Sequence, residues 1–172
     1  GCERGVGRLL FIVGQVGTTM RVDMRNRFDQ ARAAQLVRIA SRYGMFLKVH
    51  YTDWLDQAVL ERFPDLGIGA ANVGPEFSAA YVRALGKLED AEKEALARAG
   101  GREEGSRLME ILEDLAVREA PWRRFLPKGM DEEELQRFAA ENRRNIALCV
   151  GRYVIGRPEV EAARRRLYRN LR

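Results

Sequence analysis

Residues 46–77, FLKVHYTDWLDQAVLERFPDLGIGAANVGPEF, decide how this chain folds. A short apolar run (Phe46, Leu47, Val49) ends at His50, the only histidine of the protein. Tyr51-Thr52-Asp53 turns the chain into an amphipathic segment, and the spacing predicts a helix over Trp54–Phe63. Pro64-Asp65-Leu66-Gly67 closes that helix, and residues 68–73, IGAANV, have the composition of a closely approached strand. Strand, helix and strand within one such stretch make the parallel βαβ unit, because parallel strands need a crossover. Its two strand-end loops, His50–Asp53 and Asn72–Glu76, then lie side by side. In open sheets and in barrels alike, ligands bind at that edge.

Working outward, residues 8–16, RLLFIVGQV, are a further strand candidate. Their continuous apolar run suits a strand covered on both faces. Gly17-Thr18-Thr19 is the loop at its carboxyl end. The polar stretch Arg21–Arg27 is either a surface excursion or a ligand-facing loop, with Arg21 and Arg25 as anion donors. Asp29 is a good N-cap for a helix over Gln30–Tyr43, and Gly44 a good stop. The first seventy-odd residues therefore read β-α-β-α-β, three parallel strands with short connections.

Beyond Pro75 the pattern is helical. A helix over Ser78–Arg98 is expected to turn Tyr81, Val82, Leu85 and Leu88 inward. Glycines mark residues 99–106 as a loop, and Leu108, Ile111, Leu112 and Leu115 line the next helix, which Pro121 ends. Trp122, Phe125 and Leu126 form an aromatic plug. Asp131 caps a helix whose stripe runs through Leu135, Phe138, Ala139, Ile146, Cys149, Val150 and Tyr153. Pro158 suits the first turn of a last helix, lined by Val160, Ala163, Leu167 and Leu171. The expected organisation is a partial barrel over 1–98, comprising three βα units, and a helical extension over 99–172.

The 172 residues suffice for a real core, and 46% hydrophobic with 32% charged content is ordinary for a globular protein. Cys2 and Cys149 are too few and too far apart for a disulfide framework or a zinc ribbon, so a reducing, cytoplasmic setting is expected. Leu9–Val13 is far too short to span a bilayer. The chain starts Gly1-Cys2-Glu3 without an initiating methionine and soon enters a strand, which suggests the downstream part of a longer protein. Net charge is +5, concentrated in residues 143–172, where nine arginines face two glutamates. A basic end attracts polyanions, but arginines interleaved with Val160, Ala163 and Leu167 suit a solvated helix face, and tight nucleic-acid binding is not expected.

Chemistry gathers at the strand ends. His50 directly follows a strand, where it can serve as metal ligand, acid/base or hydroxyl partner; the alternative is a structural histidine bonded to backbone. Asp53 can join it or simply cap a helix starting at Trp54. Lys48 shares a strand face with His50; a lysine inside a barrel is what Schiff-base aldolases use, but no other residue pattern in the sequence supports that chemistry. Asn72 ends the next strand, and Gly74 opens a helix whose free N–H groups suit a phosphate. Glu76 is a candidate ligand or only a favourable charge at a helix start. Thr18 and Arg21 complete the candidate substrate- and phosphate-binding set.

LKVHYTDWL at 47–55 and ANVGPEF at 71–77 resemble the non-catalytic subunit of class II D-tagatose-bisphosphate aldolase. So do FIVGQVGT (11–18), RVDMRNRFD (21–29) and Pro121-Trp122 after the EILEDL helix. The resemblance covers essentially the whole chain. It implies a (β/α)₈ barrel of which these are the last three strands, open here, and a subunit that supports a separate catalytic aldolase subunit in sugar-phosphate metabolism. Class II aldolases hold Zn²⁺ through several histidines. With one histidine and no usable cysteine pair this chain cannot close such a site alone; a divalent metal would need the complete protein or the partner. Two other functions stay open: a metal-assisted sugar-phosphate epimerase or aldolase in its own right, with His50 and Glu76 as ligands or acid/base, and a polyanion-binding module using the arginine-rich end. An oligomer is expected.

Overall fold

The structure, a computed structural model, describes residues 9–101 and 104–172. Cys2, the Arg8 end of the first strand expectation, and residues 102–103 of the glycine loop lie outside the described residues. The chain forms two compact units: Arg25–Gly74 with the segment ending at Met20, and Pro75–Arg172 with Arg21–Met24.

The first unit is α/β. Strands β1 (Phe11–Gly14), β2 (Phe46–Val49) and β3 (Ile68–Ala71) form a parallel sheet in the order β1-β2-β3. Phe11 stands opposite Phe46 and Gly14 opposite Val49. Between β2 and β3 the register slips at Leu47/Lys48, so that Lys48 faces Ala70. Skipped Gly69 has a reason: a Cβ there would lie 2.6 Å from the Phe46 Cβ. Helices α1 (Gln30–Arg42) and α2 (Gln57–Glu61) are the crossovers. Strand periodicity puts Leu47 and Val49 on the buried face, in a core with Val16, Ala33, Phe63 and Ile68, while Phe28, Leu36, Val37 and Leu60 close over it. Asp29 caps α1 as expected, its side chain accepting from the Arg32 N–H, and Gly44 follows with φ 63°.

Two expectations need correction in this unit. The second helix begins at Gln57 rather than Trp54, because Tyr51 and Trp54 both take φ 56° in the left-handed region, which ends helical geometry there. The first strand is not covered on both faces. Phe11, Ile12 and Val13 are 42%, 37% and 56% exposed, since among the described residues β1 is an edge strand with one neighbour and the helices cover a single face.

The second unit is helical: α3 (Pro75–Arg98), α4 (Leu108–Glu119), α5 (Glu132–Glu141), α6 (Arg143–Val150) and α7 (Pro158–Asn170), with 3₁₀ turns at Trp122–Phe125 and Gly151–Tyr153. Helix α3 packs against α4, α6 and α7. Its buried face is Ala79, Val82, Leu85, Gly86, Glu89 and Glu92. Tyr81 and Leu88, expected inward, are exposed; the stripe is rotated because two carboxylates belong to it. Glu92 accepts from the Ser106 N–H (3.0 Å), the Ser106 hydroxyl (2.5 Å) and Asn170 Nδ2 (2.6 Å). Glu89 accepts from the Met109 N–H at 3.1 Å and pairs with Lys93. The two acids thus satisfy donors before and within the first turn of α4, which has no intrahelical partner for them. Trp122 is buried, donates Nε1–H to Val117 O at 2.8 Å and stacks on Phe138. Asp131 and Glu134 form a reciprocal capping box on α5. The helix expected to run on from there breaks at Asn142, whose φ is −121° and whose Nδ2 bonds back to Phe138 O. Pro158 opens α7, and Val160, Ala163 and Leu167 are its buried seam; Tyr153 and Leu171 are exposed.

Candidate functional site

The carboxyl ends of β1, β2 and β3 carry three loops whose polar groups are bonded to one another. Thr18, buried, donates its hydroxyl to His50 O at 2.7 Å. Asn72 donates its N–H to Val49 O, and its carbonyl accepts from both the N–H (3.1 Å) and the hydroxyl (2.8 Å) of Thr52. Asp53, 3% exposed, accepts the Gly74 N–H at 2.9 Å. Thr18, His50, Asp53, Asn72 and Gly74 therefore share one edge of the parallel sheet. The His50 imidazole, half-buried, meets the Tyr51 ring edge-on at 6.4 Å, and the Asn72 side chain is exposed. Lys48 is half-buried on the strand face that also carries His50.

Some expected partners are otherwise engaged. The Gly74 N–H, read as open to a phosphate, is bonded to Asp53. Asp53 is not the cap of a helix at Trp54; its carboxylate ties the His50 loop to the Asn72 loop. Arg21 and Glu76 belong to the helical unit, Glu76 in the first turn of α3. The Arg21 guanidinium is forked onto Asp23 (2.6 to 3.1 Å), and that hydrogen bond, with the carboxylate charge, holds it above its ordinary range. A small cleft in the α/β unit is lined by Phe28, Gln30, Val59, Arg62 and Leu66, none of them a strand-end residue.

Sequence reasoning missed Asn26. Its Nδ2 donates to Tyr51 O (2.6 Å) and Asp53 O (2.8 Å), and its Oδ1 accepts the N–H of Thr19 (3.0 Å) and of Arg27 (2.9 Å). The one signal for it was a short amide inside a charged loop, able to serve carbonyls and N–H groups at once.

A catalytic zinc takes three protein ligands. Among the described residues no three His, Cys, Asp or Glu side chains are grouped as a metal would require, so the residues present do not fit one. Most of the basic end is matched within its own unit. Arg143 pairs with Asp114, Arg144 with Glu113, Arg157 with Glu119, Arg166 with Glu104, and Arg164 and Arg165 with Glu161. No helix among the described residues is long and apolar enough to cross a membrane.

The fold is similar to the crystal structure of a probable tagatose 6 phosphate kinase from Sinorhizobium meliloti 1021, at 25% sequence identity and a TM-score of 0.70. The match covers 95% of this chain and 40% of that one, so the chain spans less than half the length of that protein. Among curated proteins none matches. The family model described as D-tagatose-1,6-bisphosphate aldolase subunit GatZ/KbaZ-like matches residues 1–172. From end to end, the chain belongs to the D-tagatose-1,6-bisphosphate aldolase subunit GatZ/KbaZ-like family.

Proposed function

We propose that this chain is the last three βα units, residues 1–98, of a (β/α)₈ barrel with a helical extension over 99–172. It acts as the non-catalytic subunit that supports a separate catalytic D-tagatose-bisphosphate aldolase subunit in sugar catabolism. The observation that carries the reading is the family match over residues 1–172. Two structural features support it. Among the described residues there is no grouped set of metal ligands for a zinc-dependent aldol cleavage, and β1 leaves apolar side chains open where a barrel would place further strands. The strand-end edge, with His50 and Asn72, would face the sugar phosphate, with Thr18 and Asp53 holding its backbone. In a barrel that edge is the one ligands use.

The test is mixing or co-expression with a catalytic class II aldolase subunit. The proposal expects copurification and a longer half-life of aldolase activity in the mixture, with no cleavage by this chain alone. Ketose-bisphosphate cleavage by this chain by itself, or no effect on the catalytic subunit's lifetime, would sink it.

A further inference from the structure

We infer that Asn26, with Thr18, is the positioning residue of the strand-end edge, holding the Tyr51–Trp54 loop in a strained shape that fixes where His50 is presented. The inference deepens the proposed reading of this edge and rests on it for the ligand alone. Tyr51 and Trp54 are both left-handed, φ 56°, and neither is glycine. Left-handed backbone is strained for such residues, and strain of this kind persists only where the surroundings over-determine it. Here the surroundings are the β1–α1 connection. Three successive or alternate carbonyls of the loop are held from it: His50 O by the Thr18 hydroxyl, and Tyr51 O and Asp53 O by the two hydrogens of Asn26 Nδ2.

The choice of residue follows from the chemistry. With two carbonyls on one side and two N–H groups on the other, only a carboxamide in one orientation satisfies all four. Aspartate would set a second oxygen against two carbonyls, and glutamine is one methylene too long. A loop held this way is ordered before any ligand arrives, so a sugar phosphate meeting His50 and Asn72 would not bear the cost of ordering it.

The 172-residue chain has one histidine, which gives a single imidazole signal by NMR. Asn26→Asp, Asn26→Ala, Tyr51→Gly and the Asn26→Asp/Tyr51→Gly double variant are compared by amide exchange at Thr52 and Gly74, by the His50 ring signal and by urea midpoint. Asn26→Asp is expected to speed exchange at those two amides about tenfold or more while β2 and α1 amides hold, and to shift and broaden the ring signal. Tyr51→Gly, which removes one source of strain, is expected to restore most of the amide protection in the double variant, whose ring signal is compared with that of Tyr51→Gly alone because the Tyr51 ring lies against His50. A uniform rise in exchange across the unit, or no rescue by glycine, would overturn the inference. Should the Asn26 variants fail to fold, Thr18→Val removes only the donor to His50 O; an unmoved ring signal there overturns it equally. Titration with D-tagatose 1,6-bisphosphate separates the two readings: an unperturbed His50 signal in the native chain counts against the ligand reading, while the exchange pattern alone decides the role of Asn26.

Discussion

A carboxylate buried to 3% exposure needs a donor, and Asp53 has one in the Gly74 N–H. Asp53→Ala leaves that N–H without its acceptor and should cost about 1–3 kcal/mol. Asp53→Asn should cost less, because an amide oxygen can still accept. Urea denaturation of the two variants checks the order; equal midpoints for Asp53→Ala and the native chain would remove the bond from the account. His50 and Asn72 were legible as edge residues because each directly follows an apolar strand, and Thr18 because it lies in the loop after one; a parallel sheet puts all such ends on one side. The partners were not. A carboxylate in front of an amphipathic run has the pattern of a cap, and nothing in that pattern shows that Trp54 adopts φ 56° and delays the helix to Gln57. Asn26 was hidden by its neighbours, since Arg-Asn-Arg gives no periodicity to judge it by.

Elements were read best where local rules act alone. The Asp29 cap and the Asp131 cap depend on a short side chain reaching an N–H two or three residues on, so sequence suffices. Helix α3 failed differently. Its apolar spacing allows a stripe through Tyr81 and Leu88, and the choice fell to Glu89 and Glu92, whose acceptors are needed by Ser106 and Met109. Glu92→Ala should therefore destabilise the helical unit by about 2–4 kcal/mol, because three donors lose one acceptor. Glu92→Gln should do far less, since serine can reverse its hydrogen bond. Thermal melts of both variants decide it, and similar losses would mean that side-chain volume rather than bonding matters. The surface pair Arg123–Glu132 is a weaker element of the same unit. The Arg123 hydrogen bond lowers the Glu132 carboxyl from its ordinary 4.5. A depressed folded value means stabilisation present above 4.5 and lost as pH falls through the lowered value. The gap in urea midpoint between native chain and Arg123→Gln should thus be small at neutral pH and close in acid. A gap that widens below pH 4.5 would contradict the sign.

For the molecule as a whole, the question is what the open side of β1 does in this chain. Leu9 (69%), Leu10 (54%), Phe11 (42%), Ile12 (37%) and Val13 (56%) are consecutive and exposed, and Phe46 (57%) adds a ring beside Phe11. An apolar edge strand with unpaired N–H and C=O groups is a template for another strand, and a contiguous apolar patch is a site of association. The parallel order was legible because short strands alternate with helices. The exposure was not, because a run such as LLFIV has the same composition whether a neighbour covers it or not. The chain on its own is therefore expected to self-associate through β1. Val13→Lys sits on the open face, opposite Lys48 in the register, and adds charge repulsion there without touching the Leu47–Val49 core. Sedimentation velocity should show the native chain as dimers or larger species, shifting with concentration, and Val13→Lys moving toward monomer. Tyr153→Lys, an exposed aromatic of the helical unit, should leave the distribution unchanged. A native chain that stays monomeric at micromolar concentration, or a shift produced equally by Tyr153→Lys, would mean that β1 is not the surface on which copies meet.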